Sequence, residues 1–143
     1  MQLIEIEQTL ILNKQKPLPN QGIICAHPAR AYRIAKDYLQ DLDTHTDYRG
    51  FQVYTGHYQG KELFVANSGL GASAAAFLIE ELSAFGVKKI LRLGSHDGHF
   101  EQFCLKVVQE TTLPVGLCLD YGFELSSLAI SPSLAKKVVA MAN

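Results

Sequence analysis

Apolar positions fall into short runs of strand length, separated by two stretches of helical period. After an apolar N-terminal stretch through Leu12 comes a polar link, Asn13 to Gln21, holding Pro17 and Pro19, and then the strand-like run Ile23-Ile24-Cys25-Ala26. Ala31, Tyr32, Ala35, Tyr38, Leu39 and Leu42 follow helical spacing, and Pro28 suits the first helical position because its missing N–H would be orphaned there. Phe51 to Tyr58 alternates, and a Gly60-Lys61 turn leads into Leu63-Phe64-Val65-Ala66, which predicts a hairpin. Gly69-Leu70-Gly71 opens a second helix, apolar at Ala74, Phe77, Leu78, Ile79, Leu82 and Phe85 and stopped at Gly86. A strand through Ile90 and Leu91 completes a βαβ unit. Beyond Gly98, Cys104 to Val108 and Val115 to Leu119 read as strands, and Ser131-Pro132 caps a final helix rich in Ala, Leu and Val. The pattern predicts an α/β fold, a mixed central sheet flanked by helices in a single domain over 1–143.

Composition narrows the partners. With 143 residues, 48% of them hydrophobic and 19% charged, the chain suits one soluble domain with a real core. Its 13 Lys+Arg against 14 Asp+Glu leave no broad basic face for nucleic acid and no polybasic membrane patch, so any bound anion is expected to be small. Cys25, Cys104 and Cys118 are odd in number and form no Cys-x-x-Cys, which fits a reducing compartment and neither a disulfide framework nor a zinc knuckle. The start, Met1 to Glu7, has no signal-peptide pattern and no run reaches transmembrane length, so the expectation is a cytoplasmic protein.

Candidate chemistry gathers at the ends of elements. Arg92 lies in the apolar run Val87 to Ser95, where a buried guanidinium needs either a distant carboxylate or an anionic ligand. Arg30 falls in the first turn of a helix, where the dipole disfavours a cation by roughly 0.3–1 kcal/mol; an anion between them would resolve this, and so would a side chain pointing to solvent. Ser95 follows the strand-ending Gly94, at the edge where α/β sheets collect ligands, although turn chemistry accounts for it equally well. Arg49, beside Asp47, reads by itself as a surface charge.

Gly69 to Ala74 fits G-x-G-x-x-A in outline, but the acid that a dinucleotide site wants after the next strand is replaced by Arg92 and Ser95, so a tight turn is the plainer reading. His96-Asp97-Gly98-His99 with Cys104 matches no established metal spacing, and no metal is expected. Cys25 with His27 reads as packing before thiol and base.

Together these segments resemble the nucleoside phosphorylase family of bacterial purine nucleoside phosphorylases and uridine phosphorylases. The resemblance runs from Ile23 to Gly98 and rests on Ala26-His27-Pro28-Ala29-Arg30, Tyr48-Arg49-Gly50 with Tyr54-Thr55-Gly56, Asn67-Ser68-Gly69-Leu70-Gly71, Glu80-Glu81-Leu82 and Arg92-Leu93-Gly94-Ser95. It implies a three-layer phosphorylase-like architecture, incomplete at the C-terminal side. It implies that Arg30, Arg92, Ser95 and the backbone at Ala26 bind phosphate, that Arg49 reaches a neighbouring subunit's phosphate site, and that Leu70 and Gly71 lie near the ribose. The implied reaction splits a purine or pyrimidine nucleoside with inorganic phosphate as co-substrate and no other cofactor, giving free base and ribose 1-phosphate.

Two departures set further expectations. The sequence stops before the Glu-Met-Glu segment and the later acid that hold ribose and base in the family, so the chain is expected to be inactive alone and to form a homo-oligomer or pair with a complementing chain. Ala26-His27 stands where the family has Gly-Asp, and His96-Asp97-Gly98 replaces small residues beside the base. The alternative is a non-catalytic phosphate- or nucleotide-binding or assembly module of the same fold.

Overall fold

The computed structural model describes residues 10–95, 110–112, 127–129 and 133, in two compact units divided after His96. The first unit contains β1 (Gln21–Cys25), α1 (Pro28–Tyr38), β2 (Gln40–Tyr48), β3 (Phe51–Tyr58), β4 (Lys61–Asn67), α2 (Gly71–Ala84) and β5 (Lys89–Arg92). These strands form one mixed sheet in the order β2-β3-β4-β1-β5. β1 runs parallel to both β4 and β5, while β2, β3 and β4 are antiparallel neighbours. The second unit shows β6 (Glu110–Thr112) paired antiparallel with β7 (Ser127–Ala129).

Backbone chemistry sets the connections. Arg49 and Gly50 (φ 52° and 80°) and Gln59 and Gly60 (φ 50° and 74°) are both left-handed pairs, the geometry that joins twisted antiparallel strands through two residues. In the middle of the sheet Gly22 faces Phe64 so closely that a Cβ would lie 2.4 Å from its carbonyl oxygen and 2.5 Å from its ring.

Apolar side chains fill both faces of the sheet. On one face Ile24, Val53, Phe64 and Ala66 pack with Leu78 and Leu82 of α2 and with Leu12 of the strap that precedes β1. On the other, Cys25, Tyr54 and Val65 pack with Ala31 and Ala35 of α1. Both helices and all the strands expected before Gly98 are present, and the architecture is the expected mixed α/β sheet.

Three details differ from expectation. α1 stops at Tyr38, with Leu39 extended as its cap, so Leu42 belongs to β2 and not to the helix. β2 itself has no apolar alternation to betray it: it is an edge strand, exposed except at His45 and Thr46, and its register shifts between Thr44 and Thr46 in a bulge that buries two successive residues. Arg92 is exposed, not buried, because β5 ends the sheet order and pairs with β1 alone among the described strands. The strands expected at Cys104–Val108 and Val115–Leu119 lie outside the described residues, as does the final helix apart from the helical Ser133.

Candidate functional site

Three parallel strands end together. Ile24 is in register with Arg92, and Cys25 with Asn67. Pairing continues one step past each strand end, with Leu93 N–H donating to Ile24 O at 2.8 Å and Ser68 N–H to Cys25 O at 2.8 Å. Ala26, Ser68 and Leu93 to Ser95 therefore emerge side by side at the carboxyl edge, the edge at which open α/β sheets bind ligands.

Two helices start from this edge, and their starts differ. His27 caps α1: its Nδ1 accepts from Ala29 N–H at 3.2 Å, and its carbonyl accepts from Arg30 and Ala31, both at 3.1 Å. A neutral imidazole thus serves as the N-cap acceptor here. Leu70 occupies the corresponding position of α2, and a leucine side chain can accept nothing. The first N–H groups of α2 consequently lack a side-chain cap at the positive end of a 14-residue helix, a setting that favours an anion. Gly69 and Gly71, at φ 71° and 88°, turn the chain into this start, and a Cβ on Gly69 would crowd Ala74 at 3.2 Å. Leu70 is 92% exposed, lifted off the sheet by that turn.

The arginines at this edge have no carboxylate partners among the described residues. Arg33 pairs with Asp37 and Lys16 with Asp43, but Arg30, Arg49 and Arg92 appear in no ion pair. Arg92 folds back so that its Nη1 lies 3.3 Å from where a Cβ on Gly94 would sit, a contact that a side chain there would tighten. Arg30 is half-buried and close enough to Cys25 to oppose, in part, the upward push that burial gives the thiol's pKa. Cys25 is fully buried, with Sγ contacts to the carbonyls of His27 and Ala66, which makes it packing and no nucleophile.

Arg49 sits apart from the others. Its turn lies at the same edge of the sheet, stacked on Tyr48 with the guanidinium carbon 5.4 Å from the ring centroid. Between β3 and β5 there are three strand spacings, about 14 Å at ~4.8 Å each, beyond the reach of an extended arginine. The turn is braced by Asn67, which is buried: its Oδ1 accepts from Gln52 N–H and its Nδ2 donates to Gly50 O at 2.9 Å.

Asn67 and Glu81 are the structural residues that the sequence reading left without roles. Glu81 is buried, and its carboxylate accepts from the backbone N–H groups of Leu10, Ile11 and Leu12, the latter two at 3.0 and 3.2 Å. The available signal was a lone acid on the buried face of an apolar helix, next to Leu78 and Leu82. Among the described residues no group of three or more His, Cys, Asp or Glu is placed to hold a metal, and no helix is long and apolar enough to cross a membrane.

Residues 20–98 match the family model described as the phosphorylase superfamily. A purine nucleoside phosphorylase of the DeoD type from Clostridium novyi is 30% identical over 110 residues, which are 76% of this chain and 46% of the relative. A second, from Shewanella oneidensis, is 39% identical over 74 residues, 51% of this chain and 31% of the relative. The crystal structure of uridine phosphorylase from Vibrio fischeri in complex with 6-hydroxy-1-naphthoic acid superimposes with a TM-score of 0.53 at 27% identity, covering 55% of this chain and 32% of that one. The chain thus spans less than half the length of these relatives.

Proposed function

The chain belongs to the phosphorylase superfamily, and on that premise we propose that the carboxyl edge of its sheet is a phosphate site serving the phosphate-dependent cleavage of a purine or pyrimidine nucleoside to free base and ribose 1-phosphate. The observation that carries this reading is the set of arginines, without carboxylate partners among the described residues, around a helix start that has no side-chain cap. Arg30 and Arg92 flank the ends of β1 and β5, Ser95 and the Ala26 backbone supply hydrogen-bonding groups beside them, and the N–H groups of α2 face the same edge.

Glycosidic cleavage by phosphate develops positive charge on the sugar as the base leaves. The residues here would fix the dianion beneath the sugar carbon and neutralise it without competing carboxylates, contributing orientation and electrostatics. Exposed Leu70, on the turn between Gly69 and Gly71, would line the ribose side. In this reading Arg49, whose turn lies three strand spacings from Arg92, serves the phosphate site of a neighbouring subunit, as the family resemblance implies.

In this reading the groups that grip ribose and base are supplied by another chain or segment. Two measurements test the reading. Titration calorimetry with inorganic phosphate is expected to give saturable binding that Arg92→Ala and Arg30→Ala each weaken at least tenfold while circular dichroism stays unchanged; binding unaltered by both substitutions would refute the site. Release of free base from nucleoside and phosphate, by this chain alone and as any rate above that of a longer family member when the two are mixed, tests the chemistry. Phosphate binding with no turnover alone and no added rate in the mixture would favour the non-catalytic module.

A further inference from the structure

A buried imidazole without a hydrogen-bond partner lies among the attachments of the N-terminal strap, Leu10 to Leu18. His45 is 2% exposed, neither ring nitrogen is hydrogen-bonded, and its ring stands edge-on to Phe85 at 5.8 Å and 86°. It is one of the two successive residues that the β2 bulge turns inward. The residues around it hold the strap: Thr46 Oγ1 donates to Ile11 O at 2.9 Å, and Lys16 Nζ donates to Asp43 Oδ2 at 2.8 Å and to Thr44 O at 2.7 Å. The fourth attachment is Glu81 on α2, one helical turn from Phe85.

We propose that His45 is an acid-sensitive latch, whose protonation drives the imidazole out from under the strap and undocks residues 10–18 from β2 and α2. A neutral imidazole is tolerated in this apolar place, whereas an imidazolium faced only by the Pro17 carbonyl, with Asp43 already engaged by Lys16, is not. Burial holds the pKa below its ordinary 6.5, Lys16 adds to that effect, and the facing Pro17 carbonyl and Asp43 oppose it. Asp43 is already engaged by Lys16, which keeps its carboxyl below the usual range.

The other ionisable groups on these elements are Lys14 on the strap, Asp41, Asp47 and Tyr48 on β2, Tyr54, His57 and Tyr58 on β3, and Glu80 and Glu81 on α2. His57 lies in register with Gln40 at the far end of the strand, between Asp41 and Glu62 at 3.6 and 3.7 Å. Opening the strap gives the imidazolium access to water, so the open form binds the proton more tightly. A group whose pKa is depressed in the closed form contributes docking stability that is present above its ordinary value and lost as pH falls below it.

Amide hydrogen exchange on the full chain, read by mass spectrometry at pH 7.5 and pH 5.5 and corrected for intrinsic rates, tests this. Protection of residues 10–18 is expected to fall with acid, by at most about tenfold per pH unit because one proton is involved, while β1 and β4 stay protected. His45→Phe and His45→Gln are each expected to abolish the acid dependence, and His57→Gln to leave it intact; if the phenylalanine variant does not fold, the glutamine variant decides. Strap protection independent of pH, or acid opening that survives in His45→Gln, overturns the proposal.

Discussion

Replacing Glu81 with alanine removes the carboxylate that accepts from three backbone N–H groups. Those of Ile11 and Leu12 are buried, and that of Leu10 partly so. A hydrogen bond to a charged group contributes about 1.5–3 kcal/mol, so three would sum to roughly 4–9 kcal/mol if the strap had to stay in place. It does not have to. The strap can lift off and hydrate its amides, so the loss is capped at the energy of docking it, chiefly burial of Ile11 and Leu12 at about 1.5–3 kcal/mol each less the ordering entropy regained. The expected destabilisation is therefore about 2–4 kcal/mol.

Urea unfolding monitored by tyrosine fluorescence should show it as a lower midpoint. Because the strap is already open before unfolding, the slope should fall as well. Glu81→Gln is expected to lose less, since its amide oxygen still accepts while its NH2 confronts N–H donors. A loss under about 0.5 kcal/mol with strap exchange unchanged would refute the claim that Glu81 holds this segment.

Gly22→Ala is expected to destabilise by more than about 3 kcal/mol, since a Cβ 2.4 Å from the Phe64 carbonyl must push β1 and β4 apart; thermal melting checks it. Asn67→Ala should cost about 1–3 kcal/mol by leaving Gln52 N–H and Gly50 O unpaired, and should raise amide exchange at the Arg49 turn while β1 remains protected. Cys25, with its pKa raised by burial, should react with a disulfide reagent at pH 8 far more slowly in the native chain than in urea; equal rates would contradict its burial.

The strands that bury an apolar face were legible because their side chains had to match it. Ile23 to Ala26, Phe51 to Tyr58 and Leu63 to Ala66 all stand where their pattern placed them. β2 was not legible: an edge strand with one buried pair, inside a bulge, carries no period, and Leu42 fell by accident on the helical spacing of α1. The argument for Arg92 was misplaced. Its apolar neighbours suggested burial, whereas the end position of β5 exposes it, and what distinguishes it is the lack of a carboxylate partner among the described residues. Asn67 escaped because a side chain that satisfies distant backbone groups leaves no local pattern in the sequence, and Glu81 left only an acid on the buried face of an apolar helix, which does not say what it holds.

The brace at Asn67 sets a rule for inheritance. One carboxamide grips Gly50 O and Gln52 N–H, two groups on either side of Phe51, and uses its donor and its acceptor to do so. An inserted residue between Tyr48 and Phe51 would carry one of them away, and an aspartate at 67, which only accepts, would serve only half the pair. The reach of the Arg49 turn is thus fixed to the residue, and a hairpin transplanted between relatives must bring its asparagine from a different strand.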